Sequence, residues 1–407
     1  LLGYHTPTNT TAHPGITTSV GGGTRITVNQ GPRSEADRET GWGRVVLVFD
    51  REVTLSLEDR KPPEPNPLKW TSTRGEITVN LPDSRFTNCL NAQIAQIMMG
   101  LVRNETRPAD PNHLPLNDLR AGASIVVALA RAGQLDVARQ LCLPFAQADF
   151  FGGYGAEADA PGLALWAITE VANLSNDTRF DQALKPHVQR KLDLIDQLLT
   201  ASEPMRRPST GPLIPRVVTP ADAELVCEPA RDGLIQGRVE TGRPVLYVNA
   251  ATYAGLRSAA AYLSRTRDRT RSESAARRAT ELRTAWNAAL ERPEWQHERN
   301  AACGLHPSWI VDNPAAYRRV LETARQQTHD GTDQRKELPL RTQIPIATAH
   351  QWLLLGEPGR AWNDLRWYWD HQTSPGLYVW WEGNGEDHTF DRWESVRGWV
   401  NPLYVSP

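Results

Sequence analysis

From Asn88 onward one constraint dominates the chain: apolar residues recur at helical spacing, and the breaks between them are alternately short and long. Leu119, Ala123, Val126, Val127 and Ala130 share one helix face, and so do Leu163, Trp166, Ala167 and Val171. Val188, Leu192, Ile195 and Leu199 repeat the pattern, as do Ala275, Ala279, Leu282, Trp286 and Leu290. Further helices are expected near residues 89–103, 134–148, 253–265, 314–327, 344–355 and 358–371, about ten in all. AGQLD (132–136) and GEPGR (356–360) are tight helix–helix turns. Amphipathic helices in antiparallel pairs predict a mainly α chain, an (α/α)6 toroid or six-hairpin barrel with its long connections gathered on one rim. One more closing helix is expected where the chain reaches Pro407.

Residues 1–85 differ. ITVNQ, GRVVLVFD, REVTLSL and GEITVNL are short β-rich runs, and KPPEPNP (61–67) is a Pro-rich joint. The expected organisation is a small β region over 1–85, or the sandwich-like remnant of a larger one, and the toroid over 86–407.

The long connections, 104–117, 149–160, 203–250, 292–313 and 372–402, hold many of the Trp, Gly, Pro and acidic residues. Long loops within a compact domain are usually functional. The last contains GLYVWWEGNGEDHTFDRWESVRGWVNP (376–402), with four of the 14 tryptophans and five carboxylates. Trp380, Trp381, Trp393 and Trp399 offer apolar faces for the C–H face of a pyranose. Glu382 and Glu394, with Glu386, Asp387 and Asp391, offer hydroxyl acceptors and a base for water. Two carboxyl groups flanking a glycosidic bond are the minimum machinery for its hydrolysis.

Three other stretches carry candidates. In DFFGGYGAEADAPGLALWAI (149–168), Asp159 stands as an N-cap ahead of Pro161, with Glu157 beside it. CEPARDGLIQGR (227–238) crowds Glu228, Arg231, Asp232 and Arg238 around Gly233 and Gly237, as a solvated loop or as acids held against the apolar segment that follows. A carboxyl in an apolar cleft has a raised pKa and can donate a proton. In PLNDLRAGASIVVALARAG (115–133), Arg120 opens a helix as a surface residue or as a fork for paired hydroxyls.

The totals exclude other classes. A net charge of −2 gives no basic field for nucleic acid or an anionic membrane, and no run of about 18 apolar residues would span a bilayer. The N-terminus lacks a basic-then-apolar signal pattern, which leaves the compartment open between cytoplasmic and secreted. No G-x-S-x-G elbow, Walker A loop or H-E-x-x-H motif occurs. No cofactor is expected, although Asp387 and Asp391 beside His388 could form a Ca²⁺ site. Cys89, Cys142, Cys227 and Cys303 stand far apart, as buried thiols or as two disulfides.

These motifs together resemble the (α/α)6-barrel carbohydrate enzymes: glucoamylase-like, trehalase-like and processing-glucosidase-like families, over roughly residues 88–407. NDLRAGA resembles the W-x-R-D element that binds the terminal sugar in bacterial glucoamylase-like enzymes, keeping Arg120 but with Ala121 in place of the acid. DAPGLALWAI places Asp159 toward the sugar. EPARDGLIQGR is similar to the trehalase-type E-S-G-W-D-F-S-S-R segment, with Glu228 and Asp232 on matching places and Asp232 on that of the general acid. The family Arg falls on Gln236, and Arg238 comes two residues later. WWEGNGE and RWESVRGWV resemble the late loop carrying the general base, which makes Glu382 and Glu394 candidates.

The resemblance implies an inverting, exo-acting glycoside hydrolase. Asp232 is the expected proton donor and Glu382 or Glu394 the expected base. Arg120, Asp159, Glu157, Glu228, Arg238 and the four tryptophans are expected to bind an oligosaccharide or polysaccharide. A phosphorylase, epimerase or polysaccharide lyase on the same toroid, or a non-catalytic glycan-binding protein, is the alternative.

Overall fold

The structure is a computed structural model; it describes five strands within residues 17–59, and residues 79, 81–99, 101–102, 105–106, 119–151, 156–207, 224–240, 242–296, 298–330, 343–370 and 378. The chain divides into two compact units, Leu1–Thr73 with Thr106–His113, and Arg74–Glu105 with Leu114–Pro407. In the first, β1 (Thr17–Val20), β2 (Thr24–Val28) and β5 (Leu55–Asp59) form an antiparallel sheet in the order β1-β2-β5, and β3 (Arg33–Ala36) pairs with β4 (Val45–Val48).

The second unit is helical. Its helices are α1 (Ser84–Met99), α2 (Leu119–Arg131), α3 (Leu135–Gln147), α4 (Ala160–Ser175), α5 (Thr178–Leu199), α6 (Val245–Arg265), α7 (Arg269–Ala289), the short α8 (Glu298–Ala301), α9 (Pro314–Thr328), α10 (Gln343–Leu354) and α11 (Pro358–Asp370). Short strands β6 (Leu101–Val102) and β7 (Glu105–Thr106) pair after α1. The longer connection before α6 holds a sheet of β8 (Met205–Arg206), β9 (Leu225–Arg231) and β10 (Leu234–Gly237), in the order β10-β9-β8.

Burial sorts the helices into two layers. Helices α2, α4 and α6 are buried nearly all round, whereas α5, α7 and α9 bury one stripe. A helix apolar on every side belongs in the interior, and one with a single apolar stripe belongs outside it. The inner ring runs α2, α4, α6, the segment 298–308 and α10. Outer partners α3, α5, α7, α9 and α11 return beside them, so the described residues form five helical hairpins of an α/α toroid. Tight turns at 132–134, 176–177, 266–268 and 355–357 follow α2, α4, α6 and α10. These four inner helices are therefore parallel, with their N-termini at the rim that carries the long connections.

Helices α4 and α6 make the closest approach. A Cβ on Gly162 would lie 2.6 Å from the Thr252 Cα, and one on Gly255 would lie 2.5 Å from the Gly162 carbonyl oxygen. Between layers, buried indoles and phenols bond backbone: Trp286 Nε1 donates to the Leu246 carbonyl at 2.9 Å, and the Tyr262 hydroxyl to the Asp181 carbonyl at 2.6 Å. Phe86 of α1 packs on Trp362 and Trp369 of α11, with centroids 5.5 and 4.8 Å apart.

Two expectations are corrected. Helix α6 starts at Val245, not near residue 253, because VLYVNAATYA is buried on all sides and shows no polar stripe to mark a helix. The segment 227–238 is a β-hairpin, not a loop. Arg231 pairs with Leu234 across Asp232 and Gly233, both left-handed (φ 55° and 74°), and Asp-Gly favours such a two-residue turn. All four cysteines are buried free thiols.

Gly162→Ala forces a methyl group into the α6 backbone. It should destabilise the protein by roughly 1–3 kcal/mol or more, measured as a lower urea midpoint. An Ala substitution at Gly359, whose Cβ position is open, should cost much less.

Candidate active site in the centre of the toroid

The inner ring encloses a cavity of about 100 Å³. Every inner element lines it: Ser124 of α2, Leu163 and Trp166 of α4, Tyr247, Ala250 and Ala251 of α6, the segment from Arg299 to Ser308, and Ile344, Ala347 and His350 of α10. The walls are largely apolar. Tyr247 and Arg299 stand at the rim end, and His306 and His350 stand deeper.

The rim end is held by polar contacts. The Asn300 side chain accepts from the Tyr247 amide at 2.9 Å and donates to the Trp295 carbonyl at 2.9 Å. Arg299 lies over the Tyr247 ring, 5.9 Å from its centroid, and pairs with Glu240 at 3.1 Å. The hairpin exit is tied to the run before α4, where the Ala158 amide donates to the Arg238 carbonyl at 3.0 Å, and to its own strand β9, where the Arg238 amide donates to the Val226 carbonyl at 2.8 Å.

At the deep end, Gln351 of α10 pins the fourth inner segment. Its Oε1 accepts from the amides of Leu305 and His306 at 2.8 and 3.1 Å, and its Nε2 donates to the His306 carbonyl at 3.0 Å. This presents the His306 ring to the His350 ring, with centroids 4.6 Å apart. Arg131 Nη1 lies 3.4 Å from His306 Nε2. A guanidinium only donates, so Nε2 accepts and the ring proton sits on Nδ1. Burial above all, then His350, Arg131 and Arg257, pushes the His306 pKa down to about 3; burial and Arg131 lower that of His350 as well. Both rings are therefore neutral at ordinary pH. Arg131 in turn pairs with Glu170 at 2.8 Å, and Ser258 accepts from Thr169 at 2.8 Å beside it.

The sequence candidates scatter relative to this cavity. Asp232 forms the hairpin tip beside outer helix α7, where a Cβ on Gly233 would touch Ala285 at 3.2 Å. Its carboxylate is 44% exposed and pairs with Arg292 at 2.7 Å and Arg231 at 3.6 Å. The hydrogen bond from Arg292 holds its pKa below the usual value. That environment corrects the expected raised pKa: a salt-bridged, solvated carboxylate stays ionised and does not hold a proton to donate. Arg238 is buried, and its guanidinium donates to the carbonyls of Leu225, Glu240 and Ala156 at 2.6, 2.8 and 2.8 Å. It staples the backbone instead of presenting a fork to a sugar. Glu228 pairs with Arg243 at 3.0 Å on β9.

Glu157 and Asp159 are buried at the rim end of α4, and Arg238 lies 3.7 Å from Glu157. Asp159 takes the N-cap position, but its side chain makes no capping hydrogen bond. It shares one helical stripe with Leu163 and Trp166, which line the cavity. Arg120 falls in the first turn of α2, but its side chain lies outside the described residues. So do Trp380, Trp381, Trp393, Trp399, Glu382 and Glu394, and the acids of the calcium expectation.

Among the described residues no carboxylate lines the cavity, no group of three or more His, Cys, Asp or Glu could hold a metal ion, and no helix is long and apolar enough to cross a membrane. The sequence reading missed His306 and His350 because they are 44 positions apart and neither lies in a recognisable metal or catalytic spacing.

No protein-family model matches the chain, and no curated protein matches its sequence. Solved structures do match its fold. A glycosidase aligns over 79% of this chain and 95% of its own, with a TM-score of 0.52 and 13% identity. A rhamnosidase from Klebsiella oxytoca with rhamnose bound aligns over 81% of this chain and 64% of its own, with a TM-score of 0.53 and 12% identity. This is the fold of toroidal glycosidases. A glycosidase variant in complex with glucose matches at a TM-score of 0.51 and 13% identity, over 79% of this chain and 95% of that one. Such distant identity speaks for the fold.

His306 yields a pH prediction. Its unfolded-state pKa of 6.5 exceeds the folded value of about 3, so the unfolded chain binds more protons between them. Stability is complete above about pH 6.5 and falls as pH drops toward 3, by up to roughly 1.4 kcal/mol per pH unit from this group. Thermal melts from pH 7 to pH 4 should show a falling Tm, with a shallower slope in His306→Gln.

Proposed function

We propose that this chain is a glycoside hydrolase acting at the non-reducing end of an oligosaccharide by an inverting, two-carboxylate mechanism. The observation that carries the proposal is the central cavity of a toroid shared with solved glycosidases, in which an indole and a phenol, Trp166 and Tyr247, join apolar walls. Such walls suit the C–H faces of a sugar ring. The inner-helix N-termini at the rim add partial positive charge where acids such as Asp159 and Glu157 stand, and we assign Asp159 to holding sugar hydroxyls there.

Inversion requires one carboxylic acid to protonate the leaving oxygen while a carboxylate on the opposite face takes a proton from water. The water oxygen then bonds to the anomeric carbon as the glycosidic bond breaks. Asp232 does not suit the donor role, being ionised at a hairpin tip. We assign the reacting pair to the 376–402 stretch, with Glu382 and Glu394 as its leading members.

Aryl glycosides and natural disaccharides test this, with NMR of the anomer first released. Hydrolysis with inversion is expected; Glu382→Gln and Glu394→Gln should each lower kcat by about 10²-fold or more, while Asp232→Asn should leave turnover near wild type. Full activity in both glutamine variants would overturn the assignment. One observation favours a second reading, a non-catalytic glycan-binding protein: no described carboxylate lines the cavity. Calorimetry that detects sugar binding in a protein with no turnover on any substrate would establish that reading instead.

A further inference from the structure

We infer that His306 and His350 form the deepest saccharide subsite, a neutral floor that exchanges hydrogen bonds with the hydroxyls of an uncharged terminal sugar. The inference rests on reading the cavity as a saccharide site, and it names the group that reaches the bottom.

Three observations carry it. Both rings line the cavity, and they come from different inner elements, 298–308 and α10. Their arrangement is built: Gln351 holds the backbone on both sides of the His306 peptide, and Arg131 fixes the His306 tautomer with its proton on Nδ1. A neutral imidazole has one donor and one acceptor nitrogen, and with His306 Nε2 facing Arg131 the acceptor of this pair is that of His350. Ser124 on α2 adds a hydroxyl to the same lining.

Charge decides between an uncharged and an anionic occupant. Of the cations near the cavity, Arg299 is compensated by Glu240 at 3.1 Å and Arg131 by Glu170 at 2.8 Å, while Arg257 is exposed and reaches the Pro307 carbonyl at 3.5 Å. A carboxylate or phosphate buried on this floor would find, among the described residues, only Arg257 without a carboxylate partner, and that guanidinium is exposed and screened by solvent; a buried charge with no close partner is costly. The walls, Leu163, Trp166, Ala250 and Ala251, then match the apolar faces of a ring whose hydroxyls point to the floor.

The test is binding to the intact protein, with D-glucose and L-rhamnose as neutral probes and D-glucuronate as the anionic one. Saturable binding of a neutral probe is expected, with ¹⁵N ring resonances of both histidines shifting while keeping the neutral pattern. His350→Phe keeps a ring against His306 but removes both nitrogens; it should weaken binding about tenfold, and His350→Gln should recover part of that. The NMR measurement uses the wild-type chain, so a substitution that misfolds does not remove the test. Preference for glucuronate, absence of saturable binding by either neutral sugar, or unshifted histidine resonances at saturation would overturn the inference. Histidine-dependent binding without turnover would sink the hydrolase reading and leave this one standing; turnover with unchanged KM in His350→Phe would do the reverse.

Discussion

The contact between α4 and α6 sets the dimensions of the inner ring. Gly162 and Gly255 let two helix backbones meet where any side chain would overlap main-chain atoms. Flexible side chains can rotate away from a clash, whereas helix backbones cannot, so the two glycines fix the spacing of adjacent inner helices. The cavity walls follow from that spacing, because Leu163 lies one position from Gly162, and Ala250 and Ala251 lie one turn before Gly255. A similar economy operates at Gly237, where a Cβ would overlap Ala158 and push the hairpin away from the rim end of α4.

Within that frame several polar groups near the cavity are satisfied in pairs. Arg131 meets Glu170, Arg299 meets Glu240, and Asn300 and Gln351 satisfy the backbone of the irregular fourth inner segment. The fourth segment lacks a long helix, so its amides and carbonyls need side-chain partners, and the residues that supply them also aim Tyr247 and His306. Burial, with Arg131 near both rings, then keeps the two imidazoles neutral. The outcome is a cavity with largely apolar walls and two neutral imidazoles at its deep end.

Legibility in the sequence followed the source of each signal. Helices with one apolar stripe, such as α5 and α7, were readable because their period of 3.6 is local. The start of α6 was hidden because burial on every side erases the period. The Asp232–Gly233 turn carried a local hairpin signal, and weighing it would have placed Asp232 at an exposed tip. Arg238 could not be told from a ligand-binding arginine, since its partners, the carbonyls of Leu225, Glu240 and Ala156, lie up to 82 residues away.

The sequence by itself determined the helical repeat, the alternation of short and long connections, and hence a toroid with its long connections on one rim, because periodicity and turn chemistry act over a few residues. Only the tertiary structure decided which polar residues share a cavity and in what charge state. Asp232 is ionised by Arg292, 60 positions on, and His306 is neutral through its burial beside Arg131 and His350. Burial and charge compensation depend on neighbours that the fold, and not the local chain, brings together.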